Sequence, residues 1–150
     1  MPELSRPADP ERGQGVFANQ CAACHGTQGQ GQRGTLGYVV PPLWGADSFN
    51  DGAGMARLTN AANFIRNNMP NGTTWAKPVL SVADAWDVAA FVEAQPRPHK
   101  PDLDHDFPNR REKPVDTAYG PYADTLSANQ HKYGPFAPIR AALGSRDAPE

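Results

Sequence analysis

The string Cys21-Ala22-Ala23-Cys24-His25 constrains this chain more than any other feature. On a helix, positions i and i+3 share a face, so the two sulfurs point the same way and an imidazole follows directly. C-x-x-C-H is the attachment sequence of a c-type haem. Both thiols can reach the vinyl groups of one porphyrin as thioethers, and His25 can meet the iron from the proximal side. Other uses of a cysteine pair fit less well. A redox C-x-x-C comes with a βαβ pattern, which is absent here. Structural zinc needs four ligands, and only His99, His105 and His131 are available to complete the set. A disulfide across so short a loop would have little structural purpose. The sequence therefore implies one haem c, bound covalently through Cys21 and Cys24.

A haem also answers a shortage. Leu, Ile, Val and Phe together number 24 of 150 residues, while Pro contributes 16 and Gly 14. A share below about 20% leans towards disorder when net charge is also high, but the net charge is only −2, and three Trp and four Tyr are present. A large flat apolar group would supply the core that these residues hardly fill alone. The same numbers exclude other classes. No run approaches the roughly 20 apolar residues of a membrane helix, and balanced charge gives no footprint for nucleic acid. Residues 1–11 carry no apolar leader segment, so the chain reads as mature-like.

Three helices are expected in residues 1–95. The first starts at Asp9-Pro10-Glu11, a capping residue followed by Pro at the first helical position, and runs towards Cys21. The second runs from Thr59, as N-cap, to about Asn68, where Pro70 stops it. The third opens on the capping box Ser81-Val82-Ala83-Asp84, repeats apolar residues at helical spacing and ends before Pro96. No alternating stretch suggests a sheet, so the fold class is all-α. From Pro96 the texture changes to a Pro- and aromatic-rich irregular extension, 96–150, packed on the first unit. Its near-repeat of Tyr119-Gly120-Pro121-Tyr122 and Tyr133-Gly134-Pro135-Phe136 reads as a strap that docks by its rings. Gly29-Gln30-Gly31-Gln32-Arg33-Gly34 satisfies G-x-G-x-x-G, but it follows no strand and opens no helix. It reads as a loop at the haem edge.

On the distal side of the iron, Met69 is the expected ligand. It ends the second helix where the chain turns, and Pro70 stiffens the backbone that presents it. Met55, in a Gly-rich loop, is the alternative. His105 and His131 read as surface residues. His/Met ligation raises the reduction potential and suits electron transfer.

These residues resemble a class I cytochrome c: three main helices wrapped around one haem. The resemblance implies that Gly13 and Phe17 meet the third helix through Trp86 or Phe91. It implies that the carbonyl of Pro42 accepts the proton of the proximal imidazole, and it supports Met69 as distal ligand. The longer pattern, over Pro41 to Met55, Phe64 to Gly72, Trp86 to Pro98 and Tyr119 to Pro138, is similar to the C-terminal haem domain of thiosulfate dehydrogenases. That family is dihaem, with its catalytic haem on another domain and ligated by Cys. Here both cysteines are consumed by one haem, so the resemblance implies an electron carrier rather than an enzyme. It would cycle Fe(III)/Fe(II) between protein redox partners in the periplasm, monomeric or in weak transient complexes. The alternative is an electron-transfer subunit or domain of a thiosulfate dehydrogenase or tetrathionate reductase.

Overall fold

The structure, a computed structural model, describes residues 1–144. Helix α1, Pro10–Gln20, opens where the sequence places it. Asp9 is extended, and its carboxylate accepts from the backbone N–H groups of Glu11 and Arg12. A four-residue helix α2, Ala22–His25, follows after a break at Cys21. Helix α3 spans Leu58–Asn68 and α4 spans Val82–Ala94. The Ser81 hydroxyl caps α4 by accepting from Asp84 N–H at 3.1 Å.

Helix α4 is the centre of the molecule. Ala85, Trp86, Asp87, Val88, Ala89, Ala90, Val92 and Glu93 are all buried, so nearly its whole circumference is covered. One side meets α1, with Phe17, Leu80, Ala85, Val88 and Val92 forming a cluster that Trp44 and Phe91 border. The other side meets α3 and the C-terminal region, where Trp86, Leu58, Ala61, Ala62, Phe136 and Ile139 pack together. The many alanines let the helices approach closely, and the ring of Phe136 lies 6.1 Å from that of Trp86. Of the two partners expected for Gly13 and Phe17, Phe91 is the one used: its ring is 5.4 Å from Phe17. Trp86 faces away from them, and its indole N–H donates to Pro2 O at 2.9 Å.

The α1–α4 contact is also polar. Asp87 is fully buried and accepts from both Nη atoms of Arg6 at 2.8 and 2.7 Å, from Arg12 Nε at 3.0 Å and from Asp9 N–H at 2.9 Å. Burial alone would raise its pKa, but the Arg6 and Asp9 hydrogen bonds and the two guanidinium charges outweigh it and hold the carboxyl below 3.8. Stability from this group is therefore complete above that value and lost as pH falls through the lowered one. Asp87→Asn is expected to cost the protein about 1–3 kcal/mol at neutral pH. In denaturant titrations the gap to wild type should shrink in acid; a gap that widens there would contradict this account.

Four expectations are corrected. The all-α reading missed a two-stranded antiparallel hairpin, β1 Gln32–Gly34 and β2 Gly37–Val40, paired Arg33↔Tyr38 and Gly34↔Gly37. Strands this short carry no periodic signal. Side chains fasten the hairpin instead, since Arg33 lies over the Tyr38 ring and both donate to Asp47. Thr59 is not the N-cap of α3. Arg57 holds that position without a side-chain cap, and Asp116, from the C-terminal region, accepts Thr59 N–H at 3.0 Å and both Nε and Nη2 of Arg57. The extension is not wholly irregular, for it contains α5, Ala128–Tyr133, and α6, Ala137–Gly144. His131 is not a surface residue: it is 3% exposed and stacks on Tyr122 at 3.7 Å. Its two ring nitrogens meet Val115 O and an Asp124 oxygen, so neither is spare for a metal.

Candidate haem site

The attachment sequence forms a compact turn. Cys21 N–H donates to Phe17 O as the last bond of α1, and Cys21 O then accepts from both Cys24 N–H and His25 N–H. Gly26, at φ +79, ends the turn where a side chain would be strained. Cys21 is half-buried and Cys24 is exposed.

His25 Nδ1 lies 3.1 Å from the carbonyl oxygen of Pro41. A carbonyl only accepts, so Nδ1 carries the proton and Nε2 keeps the lone pair that a metal needs. The partner is Pro41 and not Pro42, the residue expected for this role. Two adjacent prolines offer equivalent carbonyls to a sequence reading, and only the path of the chain decides between them. Pro42 is buried instead, while Pro41 is exposed.

Met69 is the C-cap of α3, extended and half-buried, with its N–H bonded to Ile65 O and a cis peptide bond to Pro70. The other methionines are spent on packing. Met1 borders both apolar clusters, and Met55, in the 3-10 turn Gly54–Ala56, borders the Leu58/Ala61/Trp86 cluster. Met69 borders neither. Of the tail histidines, His105 is exposed beside Asp104, and His99 Nδ1 is bonded to Asp51 at 2.7 Å.

The residues fit a haem. Large exposed apolar side chains occur at Leu36, Val39, Phe64, Trp75 and Val79, all in the stretch between His25 and α4 that contains Met69. Arg66 Nε and Thr73 Oγ1, three residues before and four after Met69, are buried with no hydrogen-bond partner. Such donors suit a carboxylate brought in by a cofactor. Zinc is not served, since among the described residues no group of three or more His, Cys, Asp and Glu gathers to hold a metal. Sequence reasoning missed the part of Trp44, whose ring sits 5.1 Å from Phe17 and edge-on to Phe91 at 5.7 Å. This joins the segment after Pro42 to α1 and α4, and no local pattern announces it.

Residues 8–92, more than half of the chain, match the family described as cytochrome c oxidase, cbb3-type, subunit III, and the chain belongs to that family of c-type cytochrome domains. Among curated proteins it is 50% identical over 105 residues to a thiosulfate dehydrogenase of Stutzerimonas stutzeri, covering 68% of this chain and 33% of that protein. It is 48% identical over 101 residues to a thiosulfate dehydrogenase of Thiomonas intermedia, covering 67% and 31%. Among solved structures it resembles thiosulfate dehydrogenase (TsdBA) of Marichromatium purpuratum in its as-isolated form. That likeness has a TM-score of 0.59 at 44% identity and covers 69% of this chain and 22% of the other. The chain thus spans about a third of the length of the curated relatives it matches. Among the described residues no helix is long and apolar enough to cross a membrane.

Proposed function

We propose that this chain is a monohaem electron-transfer cytochrome, in which Cys21 and Cys24 would attach one haem c and His25 and Met69 would hold its iron. It would pass single electrons between protein partners in the periplasm, in the oxidation of thiosulfate or related sulfur compounds. The observation that carries this reading is the His25 Nδ1–Pro41 O hydrogen bond, which fixes the tautomer with Nε2 free beside the two attachment thiols. When bound, haem c supplies a one-electron Fe(III)/Fe(II) couple. The protein's part is to keep both ligands in place in either state. Pro41 orients the imidazole and strengthens it as a donor. The end of α3 presents the thioether. Trp44, Phe17 and Phe91 hold the Pro41–Trp44 segment against α1 and α4.

A second reading, the electron-transfer part of a larger thiosulfate dehydrogenase, is favoured by the identity to proteins of that name that are about twice as long. The two readings share the haem site and differ in the partner. The purified holoprotein is expected to take up one electron from a reductant, yet to show no thiosulfate oxidation until a second haem protein carrying the catalytic centre is added. Turnover of thiosulfate by the isolated chain would refute both the carrier role and the division of labour.

A further inference from the structure

The Gly29-to-Gly34 string, unsuited to a nucleotide, lies where the proximal side of the site is assembled. Gly31 N–H donates to the main-chain oxygen of His25 at 2.8 Å, while the ring of His25 is bonded to Pro41 O at 3.1 Å. One residue is thus tied by its backbone to one segment and by its imidazole to another, and the two segments touch. A Cβ at position 31 would lie 2.3 Å from Val40 O, 2.7 Å from the Pro41 carbonyl carbon and 2.8 Å from Pro42 N. All three are main-chain atoms and cannot swing aside. Two residues earlier Gly29 O accepts from Leu43 N–H at 2.8 Å, and a Cβ on Gly29 would meet the Trp44 ring at 2.5 Å.

We propose that Gly31 is a positioning residue for the haem: its missing side chain sets the Pro41 carbonyl on His25 Nδ1 and thereby fixes the orientation and donor strength of the imidazole. The proposal rests on His25 being the proximal ligand. A side chain at 31 drives residues 40–42 away from the ring. The Nδ1–H bond then lengthens, the imidazole becomes a weaker donor, the ferric state loses support and the reduction potential rises.

The test compares holoproteins carrying Gly31→Ala, Gly31→Asn and Gly37→Ala. The readouts are solvent exchange of the His25 Nδ1 proton, by NMR of the reduced state, and the midpoint potential. Gly37 has φ +131, and nothing lies within 4 Å of an added Cβ, so it controls for backbone strain without displacement. Gly31 has φ +70, in the left-handed region that Asn tolerates better than Ala. Both Gly31 variants are expected to exchange this proton at least about tenfold faster, as opening of a local hydrogen bond does, and to have raised potentials. Gly37→Ala should match wild type in both. Should Gly31→Ala yield no folded holoprotein, Gly31→Asn decides alone. Wild-type values in Gly31→Asn, or the same shifts in Gly37→Ala, would overturn the proposal. A wild-type chain that attaches no haem would instead remove the haem reading and this proposal with it.

Discussion

Met69→Ala is expected to abolish the methionine–iron charge-transfer band of the oxidised holoprotein and to lower its midpoint potential, while Met55→Ala leaves both nearly unchanged. A thioether is a weak donor that favours the ferrous state, so its loss removes the contribution by which His/Met ligation raises the potential. The structure divides the methionines by what else they do. Met1 and Met55 border apolar clusters, so their truncation is felt as packing. Met69 borders neither cluster and stands at the end of a helix whose register is fixed by Leu58, Ala61 and Ala62 against α4. Met55→Ala should accordingly lower the unfolding temperature with the spectrum intact, and Met69→Ala should change the spectrum more than the stability. The reverse pattern would reassign the distal ligand.

Two glycines in one helix give the second large effect, with opposite signs. At Gly13 an added Cβ would stand 1.9 Å from Asp87 O, 2.5 Å from Asp87 C and 2.9 Å from Phe91 Cβ. The first two are backbone of the buried central helix, so α1 and α4 must separate. Overpacking of this kind costs typically 1–3 kcal/mol and sometimes more. The intrinsic gain of Ala over Gly in a helix is only about 1 kcal/mol. With main chain against main chain the clash wins, and Gly13→Ala is expected to destabilise the holoprotein by about 3 kcal/mol or more. Position 15 has nothing within 4 Å of an added Cβ, so there the propensity gain stands alone. Gly15→Ala should stabilise by about 0.5–1 kcal/mol. Denaturant unfolding of both variants checks the pair; equal effects of one sign would show that the close crossing of α1 and α4 is not what makes position 13 intolerant. Because α1 leads straight into Cys21, separation of the two helices also moves the attachment turn.

Much of the candidate site is legible because it is local. C-x-x-C-H needs only the helical rise to align two sulfurs. The Asp9 and Ser81 caps act on backbone two and three residues away, and Pro70 and Pro96 stop helices by their own ring geometry. What the sequence reading lost depends on chain segments far apart in number. The cap of α3 comes from Asp116, 57 residues beyond Thr59. His131 stands in a polar local context, yet Tyr122, Asp124 and Val115 enclose it. Phe91 rather than Trp86 meets Phe17 because the helical phase of α4 turns Trp86 towards Pro2 and Phe136.

By itself, then, the sequence determined the C-x-x-C-H string that calls for a c-type haem and the ends of α1 and α4, all of which rest on covalent geometry and hydrogen bonds within one turn. The tertiary structure alone decided that Pro41 rather than Pro42 holds the imidazole, that Gly31 must lack a side chain, and that Gly13 is the crossing point of α1 and α4. Each of these is a contact at van der Waals distance or below between segments whose separation is set by the packing of the whole core, and no local rule of propensity or spacing contains that distance.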